Sequence, residues 1–256
     1  MILRRLTANL RAQNWTAIAI EFVIVVLGVF IGTQVANWNQ ARLEKQSTRR
    51  MLLQLVPELQ AELQFFANIE DYYRTTRRYA DQAAAGWNGG RMTDSEFVIA
   101  VYQSSQINGI GINPDSWSLT FGGEQLRNIQ DPNVRRNLEV VLTSDYGPVE
   151  FNAVATPYRE QVRHIIPIEI QDEIRRACGD HNMKSNYGIY LPVLPRSCAL
   201  KLDPVKAAAT AAALRAQPQL AGELRWHLAE IATFLSNAET LALPMRALQR
   251  QLSIAS

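Results

Sequence analysis

Residues 15–38 read WTAIAIEFVIVVLGVFIGTQVANW, and this stretch decides how the rest of the chain can be arranged. Within residues 18–35 Glu21 is the one charged side chain. A helix rises about 1.5 Å per residue, so roughly 20 apolar residues cross a hydrocarbon core about 30 Å thick. Trp15 and Trp38 bracket the run, where amphipathic indoles favour the two membrane interfaces. A secretory signal has a shorter apolar core, about 7–15 residues, and ends on a small-x-small cleavage site. Here Gln34 precedes Val35 and Ala36, and no such site follows. The stretch therefore predicts an uncleaved helix spanning the lipid bilayer. Arg4-Arg5 lacks the rest of a twin-arginine export pattern.

Glu21, Val25, Gly28, Gly32, Ala36 and Asn39 fall on one stripe at helical spacing. Gly28 and Gly32 form GxxxG, and Ala36 continues the small-residue spacing. Small residues let two membrane helices approach closely, so the stripe is a candidate helix-packing face. Glu21 adds to this reading, because an ionisable group within a membrane tends to face protein rather than lipid.

Residues 20–32, IEFVIVVLGVFIG, followed by Gln34-Val35-Ala36-Asn37-Trp38-Asn39, carry a resemblance. The run resembles the N-terminal signature of a family of uncharacterised bacterial membrane proteins (a domain of unknown function). A weaker similarity runs through Trp117, Leu119, Gly122-Gly123, Leu126, Ile129, Asp131-Pro132 and Arg135-Arg136-Asn137-Leu138. The resemblance implies one N-terminal span and a helical remainder, and it supplies no chemistry.

Both flanks of the span are basic, with Arg4, Arg5 and Arg11 before it and Arg42, Lys45, Arg49 and Arg50 after it. The preference of lysine and arginine for the cytoplasmic side is close to a tie here. The two cysteines, Cys178 and Cys198, break it, since a disulfide fits an oxidising compartment. The expectation is a single-pass protein of a bacterial inner membrane. Residues 1–14 form a short cytoplasmic N-terminus, residues 15–38 the span, and residues 39–256 a periplasmic body with a cysteine-linked loop over 178–198.

After the span about 215 of the 256 residues remain, enough for one domain with a real core. The net charge of +2 is too small to argue for nucleic acid, and no basic stripe interleaved with aromatics is present. Residues 40–85 predict one long helix continuing out of the membrane segment, with Leu52, Val56, Leu59, Leu63, Phe66 and Tyr73 on one face and a kink or break at Pro57. Thr93-Asp94-Ser95-Glu96 is a capping box for a helix to about Ser105. Short helices are expected over 115–121 and 124–129. Asp131-Pro132 and Asp203-Pro204 each combine an N-cap with proline at the first helical position. Residues 149–166 predict a helix bent at Pro157, continued over 168–177. Residues 178–202 predict an irregular loop, with 188–194 as the one strand candidate. The last helix, 219–253, carries Leu220, Leu224, Leu228, Ile231, Leu235, Ala238, Leu241, Met245, Leu248 and Leu252 on one face, and Pro244 marks a kink. Neither long amphipathic helix can bury its stripe alone. The expected fold is therefore all-α, an N-terminal transmembrane helix followed by an elongated antiparallel helical bundle.

Catalytic constellations are scarce. Phe121-Gly122-Gly123-Glu124 lacks the lysine and spacing of a phosphate cradle, and no serine sits in a nucleophile elbow. The histidines, His164, His181 and His227, are far apart in sequence. Cys178, Asp180, His181 and Cys198 could hold zinc, but a structural disulfide competes for both thiols. His227 reads as a packed or surface histidine. Tyr72, Tyr73, Tyr79, Trp87 and Trp117 read as core, with a small-molecule pocket as the alternative. The composite expectation is a non-enzymatic membrane protein with no catalytic residue, cofactor or metal. It acts by interaction, as a homo-oligomer or as an accessory subunit of a membrane protein partner. The alternative is a periplasmic small-molecule sensing domain that signals through a partner.

Overall fold

The apolar segment continues past Trp38 as one helix, as expected. In the computed structural model, which describes residues 15–110, 117, 121 and 123–254, one unbroken helix runs Trp15–Trp87 (α1). Its 73 residues extend about 110 Å. Pro57 lies inside it and does not interrupt it. The proline removes one donor to the Leu53 carbonyl, and both residues are exposed, so water can satisfy that carbonyl. The expected break is corrected accordingly. The helix is long and apolar enough to cross a membrane, and none of its most apolar window is buried by the rest of the chain. That last fact separates it from a soluble core helix.

From Thr48 onward α1 buries one face. Leu55, Leu59, Phe66, Ile69, Tyr73, Thr76, Ala80 and Ala83 form a line with alternating gaps of three, four or seven residues. The chain turns at Gly89, whose φ of 79° suits glycine, and returns as α2, Asp94–Ser104. The capping box closes as expected: Thr93 Oγ1 accepts from the Glu96 amide at 3.2 Å, and Glu96 accepts from the Thr93 amide at 2.7 Å. The expected helix over 115–121 falls mostly outside the described residues, although Trp117 and Phe121 are buried. Helix α3 is Gly123–Arg127 and α4 is Pro132–Thr143, begun by Asp131 capping the amides of Asn133 and Val134.

The continuous helix expected over 149–166 is corrected. Two 3-10 turns, Gly147–Val149 and Phe151–Val154, precede α5, Pro157–Ile165. Pro157 begins this helix rather than bending it, because the residue before proline disfavours helical backbone and Thr156 is extended. Helix α6, Ile168–Cys178, follows Pro167. The irregular segment then holds a hairpin, β1 His181–Lys184 and β2 Tyr190–Val193, with Met183 opposite Leu191. The second strand lies within the expected one. The first carries no apolar alternation to betray it, since all four of its residues are exposed. Helix α7 is Pro204–Arg215 and α8 is Leu220–Ile254, with Pro244 inside it.

Helix α8 packs antiparallel to α1. Tyr73 meets Phe234 at 5.3 Å, while Phe66 and Glu70 share a cleft with Ala238, Glu239 and Arg246. Most of the expected stripe on α8 is buried, but Leu228, Leu235 and Leu241 are only half-buried, and the buried line shifts to include His227, Phe234 and Ala242. The remaining helices close around this pair. Trp87 contacts Phe97 edge to face, Asn137 bonds Gln251, and Arg215 pairs with Asp94 at 2.8 Å. The fold is thus all-α, one long apolar N-terminal helix followed by a helical bundle.

Gly109 locks the α2–α4 side of this core. The Ile110 amide donates to the Val149 carbonyl at 2.7 Å, and a Cβ built on Gly109 would overlap the backbone of Phe151. Backbone cannot move aside as a flexible side chain can. Gly109→Ala is therefore expected to lower stability by about 2 kcal/mol, readable as a drop in denaturation midpoint. An unchanged midpoint would show that this close approach is not needed.

Candidate functional site

The stripe expected as a packing face in the apolar segment is left uncovered by the described residues. At 100° per residue, Glu21, Val25, Gly28, Gly32, Ala36 and Asn39 lie within an arc of about 80°. Val25, Gly28, Gly32 and Ala36 are exposed, and Glu21 is half-buried. A side chain built on Gly28 or Gly32 would meet nothing within 4 Å. The bundle first covers α1 at Thr48, so no other described part of the chain uses this face.

Cys178 and Cys198 form a disulfide, with Cα atoms 5.5 Å apart. It ties the end of α6 to the segment leading into α7. Both thiols are consumed, and the neighbouring groups disperse. Asp180 accepts from the Tyr72 hydroxyl at 3.1 Å, and His181 lies on the exposed first strand. Among the described residues no group of three or more histidine, cysteine, aspartate or glutamate side chains is placed to hold a metal.

The aromatic residues do not line one pocket. Tyr72 and Tyr73 are buried edge to face, 5.5 Å apart, and the Tyr73 hydroxyl bonds both the amide and the carbonyl of Asn108. Tyr79 donates to the Pro195 carbonyl at 2.9 Å. Burial pushes the phenols of Tyr72, Tyr73 and Tyr79 up, so they act as neutral donors. Trp117 donates to Glu58 Oε2, and Trp87 packs on Phe97.

The polar centre of the bundle is the part that sequence reasoning missed. The run Tyr102-Gln103-Ser104-Ser105-Gln106, at the end of α2, is wholly buried although four of its five residues are polar. Each finds a backbone or side-chain partner. Gln103 donates to the Cys178 carbonyl, Ser104 bonds Tyr158 at 2.7 Å, and Ser105 donates to the Tyr102 carbonyl. Arg159 and Arg163 reach in from α5. Arg159 donates to the Ser105 carbonyl at 2.7 Å, and Arg163 donates to Gln106 at 3.0 Å and lies over the Tyr102 ring. Arg159 thereby caps a carbonyl at the negative pole of α2, and Arg163 is tied to the same end through the Gln106 side chain.

His227 lies beside this layer and is fully buried. Its Nδ1 is 2.7 Å from Thr156 Oγ1, and its ring stacks on Tyr158 at 5.5 Å. Nε2 has no hydrogen-bond partner. Burial, aided by the charge of Arg159 and opposed by the nearby Ser104 carbonyl, lowers its pKa from 6.5 to about 4. The ring is neutral at pH 7. It is a packed histidine, as expected.

A cleft of about 700 Å³ opens at the far end of the bundle, between residues 93–96 of α2 and residues 198–204. Its polar groups already bond one another. Thr93 and Glu96 cap reciprocally, Asp94 pairs with Arg215, and Ser95 accepts from the Leu202 amide. No family model, no curated protein and no solved structure matches this chain.

Proposed function

We propose that this is a non-enzymatic, single-pass membrane protein acting by protein interaction, with residues 15–38 as the span and the bundle in an oxidising compartment, the periplasm. It is a homo-oligomer or the accessory subunit of a membrane protein partner. The observation that carries this reading is the uncovered small-residue face on an unbroken helix. Gly28 and Gly32 meet nothing among the described residues of their own chain, and a membrane helix with such a face packs closely on another helix. Because α1 continues from this face into the core of the bundle, whatever the span binds is joined rigidly to the bundle. The disulfide supports the oxidising compartment.

The sensing alternative is less well supported. The far cleft has the volume of a ligand site, but apart from Lys201 its polar lining is engaged in helix caps and ion pairs.

Leucine at both Gly28 and Gly32 is expected to reduce association in native membranes about tenfold while leaving insertion unchanged. In-membrane crosslinking of the wild type and the double variant reads this directly. Equal crosslinking would remove the small-residue face from the interaction.

A further inference from the structure

Two groups of cations far apart in sequence meet at the end of the bundle nearest the apolar segment. Arg42, Lys45, Arg49 and Arg50 stand on α1, exposed. Glu44, Ser47, Thr48 and Met51 of the same stretch share a cleft with Gln125 and Asn128, which places Arg127 of α3 beside them. Arg136 follows one turn into α4. Arg127 and Arg136 are exposed as well.

The ion pairs among the described residues join Arg74 to Glu70 and Asp71, Arg77 to Asp81, Arg175 to Asp172, Arg215 to Asp94 and Arg246 to Glu239. Arg42, Lys45, Arg50, Arg127 and Arg136 enter none of them. Arg50, Arg127 and Arg136 bond instead to Gln46, Gly123 and Asn133. Within residues 42–51 and 123–136 the acids are Glu44, Glu124 and Asp131, fewer than the cations. Glu44 accepts from Gln40, and Asp131 is occupied in capping α4.

Residues 42–50 lie about 6–18 Å beyond Trp38 along the helix, so the nearest cations are within a Debye length of a bilayer surface. We infer that this collar binds anionic phospholipid headgroups and holds the bundle down against the bilayer. The inference rests on the reading of residues 15–38 as a span. Sign and position select the partner. The patch is basic, it encircles the helix where it leaves the interface, and each lysine or arginine near an anionic surface contributes about 1 kcal/mol.

The test uses the full chain reconstituted in a mixed phosphatidylcholine and phosphatidylglycerol bilayer, with the lipid retained on the protein identified by native mass spectrometry. Retained lipid is expected to be enriched in phosphatidylglycerol about fivefold over the bulk ratio at low salt. High salt, or the combined variant R42Q/K45Q/R50Q/R127Q, is expected to return it to the bulk ratio at unchanged helicity. R77Q/R78Q, far along α1, is expected to keep the enrichment. No enrichment, or enrichment that survives both the combined variant and salt, overturns the collar alone. Release of the wild type from membranes by alkaline carbonate overturns the span, and the collar with it.

Discussion

Acidifying the protein from pH 6.5 to pH 4 is expected to reduce the stability of the bundle by about 3 kcal/mol through His227 alone. The ring is buried against Thr156 and Tyr158, and its pKa is lowered from 6.5 to about 4. The unfolded chain therefore binds a proton in this window that the folded chain refuses. The stability is complete above pH 6.5 and is lost as pH falls toward the folded value. Glu62 works in the opposite direction. Burial, then the charge of Glu58, raises its pKa from 4.5 to about 6, so its protonated form favours the folded state. Its contribution is full below pH 4.5 and is lost as pH rises through 6. Glu62 is partly exposed, which reduces this term to about 1 kcal/mol. Urea unfolding of the full chain in mild detergent measures both. His227→Gln should flatten the decline between pH 6.5 and 4, and Glu62→Gln should steepen it. A slope that His227→Gln leaves unchanged would assign the acid sensitivity to other groups.

Replacing Cys178 and Cys198 together by serine is expected to cost about 3 kcal/mol, the chain entropy released when a loop of this length opens. The bond spans a separation of 20 residues and fastens the end of α6 to the approach to α7. The Cys178 carbonyl also receives the buried Gln103 amide, so loosening this end disturbs the polar layer of α2. The loss should be visible as a lower denaturation midpoint for the double variant, and for the reduced wild type by a similar amount. Trypsin should then cut at Arg196 and Lys201 before it cuts in α1 or α8. A midpoint within experimental error of the oxidised wild type would mean that the hairpin and the Tyr79–Pro195 bond hold this segment unaided.

Much of this architecture is legible residue by residue, and each legible feature rests on local chemistry. Thr93 with Glu96, Asp131 with Pro132 and Asp203 with Pro204 begin helices because their side chains cap amides a few residues away. The stripes of α1 and α8 follow from helical spacing, and the apolar run with its tryptophans needs nothing but its own composition.

Other features depend on neighbours distant in sequence. Pro57 is harmless because its face of α1 looks into solvent, which no local rule reveals. The first strand of the hairpin has no apolar pattern and exists because the second strand pairs with it. The polar run 102–106 carries no local signal of burial and is buried because Tyr158, Arg159, Arg163 and the Cys178 carbonyl arrive from other helices to satisfy it. The basic collar likewise needs the return of α3 to the base of α1.

Taken by itself, then, the sequence determined the apolar segment with its glycine stripe, its continuation as a long helix, the helical class and the helix starts, since these are set by spacing and capping within a few residues. Only the tertiary structure decided that Pro57 leaves this long helix unbroken. It also decided that His227 is sealed and neutral, and that the cations of α1, α3 and α4 gather at one end. Burial and charge proximity are properties of segments brought together by folding.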